Sequence, residues 1–178
     1  MKKFLLLLLP AIILFACNND KTGTETASSD TTEKKENVIL PYNVDRTPDW
    51  ERGDDNNVAI AMNTLRAFEV NDMNTLKQNL ADSVEFYMDN VSFRGSKDSL
   101  INYFTNIRNS FDNIQVRMRD YESVKSKNRG EEWVGLWYTE TVTPKGGKTD
   151  SAMVMDDIKI VNGKVAIIDS KMRRLTKN

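Results

Sequence analysis

Histidine does not occur among the 178 residues, and cysteine occurs once, as Cys17. The first absence excludes Ser-His-Asp and Cys-His nucleophile pairs, imidazole acid–base chemistry and imidazole metal ligation. The second excludes an internal disulfide and a thiolate metal site, so no metal or other cofactor is expected. An excess of one charge sign is missing too. Lysine and arginine number 25 against 26 acidic residues, a net charge of −1. That balance offers no basic field to hold a phosphate backbone, and no nucleic-acid partner is expected. Long apolar runs are also lacking: Phe4 to Phe15 is broken by Pro10 and falls short of the ~20 residues a membrane-crossing helix needs.

What is present begins with a targeting pattern. Met1-Lys2-Lys3 is a positive head, Phe4 to Phe15 an apolar stretch, and Ala16 a small residue before Cys17. Leu14-Phe15-Ala16-Cys17 resembles the bacterial lipoprotein box, which implies cleavage before Cys17, lipidation of its sulfur and a lipid-anchored place in the cell envelope, with the outer membrane expected. Several acyl chains would hold such a protein stably, since each buried methylene contributes ~0.8 kcal/mol and one chain alone is marginal. From Asn18 to Asn37 Ala27 is the only aliphatic side chain. Such a stretch cannot bury enough surface to offset the entropy of ordering it, and reads as a tether. Val38 to Asp55 is apolar enough to pack, but Pro41, Pro48 and Gly53 interrupt it, so a strap lying on the domain is expected. The organisation is therefore a signal peptide over 1–16, a lipidated N-terminus and tether over 17–53, and one folded domain over 54–178.

Within the domain, Val58, Ala61, Met62, Leu65 and Phe68 recur at helical spacing behind capping Asp and Asn residues. Asn71-Asp72 ends that helix and caps a second, shorter one carrying Leu76 and Leu80. Val84, Phe86 and Met88 then alternate with Glu85, Tyr87 and Asp89, which predicts a strand. Phe93-Arg94-Gly95-Ser96 reads as a turn into a third helix, with Ser96 as its cap and Leu100, Ile101, Phe104, Ile107 and Phe111 as its apolar side. Alternating runs follow to the end, and Asn162-Gly163 between the last two predicts a tight hairpin.

Val58–Val70 followed by NDMNTLKQNLADSVEFY, then FRGSKDSLINYF, WVGLWYTETVTPKGGKTD and IVNGKVAIIDSKMR, resembles the nuclear transport factor 2-like superfamily, which also contains ketosteroid isomerase and the SnoaL-like polyketide cyclases. The resemblance implies an α+β fold of order α-α-β-α-β-β-β-β, a cone-shaped curved antiparallel sheet with helices on its concave face, a pocket at the open end and a homodimer through the outer sheet face. Helices on one face of a strongly curved sheet cannot fill its wide end, so a pocket for a small apolar ligand follows from the packing as well.

Candidate site residues come from side chains that break a stripe. Asp156 stands alone among Ala152, Val154, Ile158 and Ile160, where burial would raise its pKa and suit it to acid–base work; a bulge that carries it to solvent is the plainer alternative. Val165, Ile167 and Asp169 read as one face, making Asp169 a second carboxylate or a partner of Lys171 and Arg173. Tyr87 could turn its hydroxyl inward, and Asp82 could sit at the pocket mouth or serve a turn. Trp133 and Trp137, with Gly135 between them, could form a stacking wall for a ligand or a dimer face. No tyrosine in the first helix matches the oxyanion donor of the isomerases, so no complete catalytic set carries over. The reading is a non-catalytic envelope lipoprotein that binds a small apolar ligand or a protein partner. The alternative is a SnoaL-like isomerase, cyclase or lyase with Asp156 as base, assisted by Tyr87 or Asp169; a purely structural dimerisation module would need the cone to be filled by side chains.

Overall fold

A computed structural model describes residues 40–46 and 49–175. The stretches expected to be a signal peptide and a tether, with Cys17, lie almost wholly outside the described residues. The folded unit starts at Val44 and contains β1 (Trp50–Arg52), α1 (Asp55–Glu69), α2 (Met73–Asn79), β2 (Leu80–Met88), β3 (Val91–Ser96), α3 (Lys97–Arg108), β4 (Phe111–Ser126), β5 (Glu132–Pro144), β6 (Asp150–Val161) and β7 (Lys164–Arg174). The seven strands form one curved, unclosed sheet in the order β1-β4-β5-β6-β7-β2-β3. The fold is α+β, with α1 packed on β4, β5 and β7, and α3 packed on β2 and β3.

The helices start where side-chain oxygens meet their free amides. Asp54 accepts from the Asn56 N–H at 2.8 Å, Asp72 from Thr75 at 3.0 Å and Ser96 from Ser99 at 3.3 Å. Asn71 follows α1 with φ of 63°, a conformation asparagine tolerates, and so turns the chain into α2. At the β6–β7 hairpin Asn162 and Gly163 have φ of 51° and 70°. These left-handed values match the twist of the flanking strands and set the register that pairs Val161 with Lys164.

Three features depart from the expected order. Val91–Ser96 is strand β3, paired with β2 from Met88↔Val91 to Ser83↔Ser96, although Phe93–Ser96 reads as a turn in the sequence. Trp50–Arg52 adds edge strand β1 to β4 upstream of Asp54. The sheet is mixed, because β2 lies parallel to β7. Alternation within a strand fixes its two faces but not which distant strand becomes its neighbour. Phe111, placed by spacing on the third helix, opens β4 instead, after the turn at Asn109 and Ser110.

The core lies between α1, α2, α3 and the concave face of β2, β5, β6 and β7. Ala61, Leu76, Leu80, Val84, Leu100, Val134, Leu136 and Val165 are buried to 1 % exposure or less. In β6 the buried residues are Ala152, Val154, Asp156, Ile158 and Ile160 without interruption. In β7 the alternation slips: Lys159 pairs with Ile167, but Ile160 pairs with Val165, leaving Ala166 as a bulge. Beyond it Ile168 and Ser170 join the concave face, and Ile167 and Asp169 turn outward, contrary to the stripe expected for Val165, Ile167 and Asp169.

Candidate functional site

A partly open cavity of about 200 Å³ lies between α1, α3 and the sheet. Ala61, Leu65 and Phe68 of α1 line it, Ala61 fully buried and the two larger side chains half-buried. Phe86, Tyr103 and Phe104 build an aromatic wall. Phe86 meets Phe104 edge-on at 5.0 Å between centroids, and Phe104 packs on Phe68 at 5.4 Å, separations at which ring quadrupoles attract. Ile107, Ile158 and Ile168 close much of the remaining surface.

Polar chemistry enters from the floor. Tyr138, Glu140, Asp156 and Ser170 all line the cavity, brought together because β5, β6 and β7 are neighbours and each residue falls on the concave phase of its strand. Asp156 is 4 % exposed. Its Oδ1 accepts from the Ser170 hydroxyl at 2.6 Å, and its Oδ2 accepts from the Tyr138 hydroxyl at 2.9 Å. Burial pushes its carboxyl up to about 6, against the lowering effect of the two hydroxyl donors. Tyr138 is raised well above its ordinary value, by burial first and then by the charges of Asp156 and Glu140.

Glu140 sits two residues past Tyr138 on β5. Its carboxyl is pushed up to about 7 by burial, then by the negative charges of Asp156 and Glu69. Glu69, at the end of α1, is itself held by Arg66 at 2.7 Å and by the backbone N–H of Val116 at 3.0 Å. The arrangement can hold a small apolar molecule against aromatic rings while two carboxyls and a phenol address one end of it. It can also exchange a proton near neutral pH.

The remaining sequence candidates lie elsewhere. Tyr87 is on the outward face of β2 and donates to Glu85, whose carboxyl is held low by that bond and by Arg94 at 2.9 Å. Asp169 and Asp157 share Lys171, at 2.9 and 2.6 Å, on the outer face. Asp82 is exposed and paired with Lys97 at 2.7 Å, which holds it below the usual range. Trp133 and Trp137 are outward as well. Lys159 covers the Trp133 ring at 5.5 Å and also bonds Glu131. The Trp137 ring lies over Gly135, where a Cβ would come within 2.8 Å of it, so only glycine leaves room for the indole. Trp137, Met153, Met155, Arg119 and Arg173 line a wider, more open groove of about 550 Å³ on this face. The inner cavity, though smaller, is the one that encloses titratable groups in apolar walls.

Tyr138, Glu140 and Ser170 are functional candidates that sequence reading missed. Glu140 carries the signal that singled out Asp156, an acid continuing the stripe Val134, Leu136, Tyr138. Ser170 had none, because the bulge at Ala166 that brings it inward leaves no mark in the alternation.

No family model and no curated protein sequence matches the chain. Solved structures do. An LEH-like epoxide hydrolase of M. tuberculosis superposes with a TM-score of 0.56 at 12 % identity, covering 67 % of this chain and 84 % of that one. AusH from Aspergillus nidulans gives 0.55 at 16 %, covering 72 % and 90 %. A nuclear transport factor 2-like protein of unknown function from Burkholderia pseudomallei gives 0.53 at 14 %, covering 67 % and 91 %. With identities this low the likeness is one of backbone architecture: residues 50–174 have the nuclear transport factor 2-like, SnoaL-like cone fold.

Proposed function

We propose that this chain is an envelope lipoprotein, anchored through Cys17, whose cone-shaped domain binds a small apolar ligand without transforming it. The apolar cavity supports the binding part. At about 200 Å³ it is below the ~300–1,000 Å³ of drug-sized sites, and its walls are mostly aliphatic and aromatic. The non-catalytic part is supported by Asp156, both of whose oxygens already accept from protein hydroxyls; the Tyr138 proton is directed at a carboxylate and not at a ligand. The pattern around Ala16-Cys17 supports the anchor. The sheet's outer face, with Trp137, Met153 and Met155 half-buried, is the surface assigned to a homodimer.

Binding is tested with a fluorescent apolar probe whose emission rises on leaving water. Val142→Trp, which fills the cavity lining, should abolish the rise; an unchanged signal places the probe elsewhere and removes the reading. Labelling cells with a radioactive fatty acid tests the anchor: label should be present in wild type and absent from Cys17→Ala.

A second reading rests on the raised Asp156 carboxyl within hydrogen-bond reach of a phenol. A SnoaL-like isomerase, cyclase or lyase acting on a hydrophobic carbonyl compound would use Asp156 as base, with Tyr138 and Ser170 in the places first given to Tyr87 and Asp169. Turnover of such a compound that disappears in Asp156→Asn while probe binding persists would select this reading over the first.

A further inference from the structure

Glu140 is a carboxyl inside an apolar cavity that, among the described residues, no cationic side chain lines. The groups that face it can be named element by element. From α1 comes Glu69, already committed to Arg66 and the Val116 amide. From α3 come Tyr103 and, at the helix end, Arg108, whose guanidinium donates to the carbonyls of Glu69 and Phe111. From β6 comes Asp156, and from β7 come Ser170 and the exposed Arg174, one strand beyond Ala152. On β5 itself Tyr138 precedes it, with its hydroxyl turned to Asp156. On β4, Val116 is its pairing partner. Among the described residues no cation pairs with Glu140, and both charges that act on it are negative.

Glu140 is half-buried, and a carboxylate largely withdrawn from water without a partner is costly; it recovers that cost by taking a proton or by meeting a cation brought from outside. The walls around this one are aromatic. Phe68, Phe86, Tyr103 and Phe104 offer ring faces and edges, and a cation near such faces is attracted by the ring quadrupole as well as by the acid. Negative charge at one end of a small apolar chamber, with no arginine or lysine among the described residues lining it, is complementary to one ligand chemistry.

Resting on the reading of the cavity as a ligand site, we propose that its ligand is a small apolar amine, bound as the ammonium with its nitrogen between Glu140 and Asp156 and its hydrocarbon part against Phe68, Phe86 and Phe104. Neutral molecules of the same shape gain the apolar contacts alone. Apolar anions are rejected by like charge.

Isothermal titration calorimetry on the full chain, with 3-phenylpropylamine, 3-phenylpropan-1-ol and 3-phenylpropionate as probes, tests this. At pH 8 the amine should bind at least about tenfold tighter than the alcohol, the scale of one charge-assisted contact, and the propionate should bind most weakly. At pH 5.5, with the acids protonated, the advantage of the amine should shrink. Glu140→Gln should bring amine and alcohol within about threefold of each other at pH 8, while Glu140→Asp, which keeps the charge, should preserve the order; circular dichroism melts of each variant establish that it is folded. An alcohol that binds as tightly as the amine at pH 8, or a propionate that binds best, overturns the amine and leaves the cavity a ligand site. Failure of all three probes in the folded wild type overturns the amine and the cavity reading together.

Discussion

Asp156 and Asp157 are adjacent in the chain, on opposite faces of one strand. Asp156 faces inward at 4 % exposure, holds two hydroxyls and has its carboxyl pushed up to about 6. Asp157 faces outward and meets Lys171 at 2.6 Å, in an exposed cluster that Asp169 shares. The same side chain on the same strand thus becomes a group able to titrate near neutrality on one side and half of a surface ion pair on the other. What differs is access to water. A curved sheet with helices on its concave side excludes solvent from that face alone, so identical chemistry meets different surroundings one residue apart.

That contrast can be broken from several directions. Leu136 is fully buried on the inner face beside Asp156, its cross-strand partner. Leu136→Ala should cost about 2–5 kcal/mol in urea unfolding by leaving a void, against less than about 1 kcal/mol for Thr139→Ala on the outer face. Tyr138→Phe removes one of the two donors to Asp156. It should lower stability by ~1–3 kcal/mol above neutral pH and move the Asp156 titration, followed by carboxyl NMR, to higher pH; a titration that stays near 6 or falls would contradict the hydrogen-bonded geometry.

Glu140→Gln sharpens the comparison through its sign. The folded carboxyl titrates at about 7, above its ordinary value of 4.5. Its contribution to stability is therefore intact below about 4.5 and is lost as pH rises through about 7. The variant should be more stable than wild type by ~1–2 kcal/mol at pH 8 and equal to it at pH 4, as read from unfolding midpoints at the two values. Asp157→Asn gives the smallest effect, about 0–1 kcal/mol at low salt. The Asp156 titration should move slightly downward, since the charge of Asp157 contributes to raising it.

Much of the inner face was legible without coordinates. The β6 stripe from Ala152 to Ile160 follows from period-two alternation, and its one acid was conspicuous for that reason. The helix starts at Asp54, Asp72 and Ser96 follow from local hydrogen bonding, and the Asn162-Gly163 turn from its backbone demands. Three parts of the site were not read. Glu140 was visible to the same alternation rule but lies past the aromatic residues that drew attention to β5. Ser170 is inward only because Ala166 bulges, and a one-residue slip reverses every side chain after it. Tyr138 counts as a site residue only because β5 and β6 pair in the register Leu136↔Asp156.

Local sequence, then, determined the three helices, their N-caps, strands β2 and β4 to β7 and the two faces of most of them, since these depend on propensities and on neighbours a few residues away. It also determined what chemistry is out of reach, through the missing histidine and the lone cysteine. Tertiary structure decided which strands are neighbours, that β2 runs parallel to β7, and that residues from α1, α3, β5, β6 and β7 line one cavity. Pairing of distant strands and exclusion of solvent are properties of the assembled sheet and helices, and no short window of residues contains them.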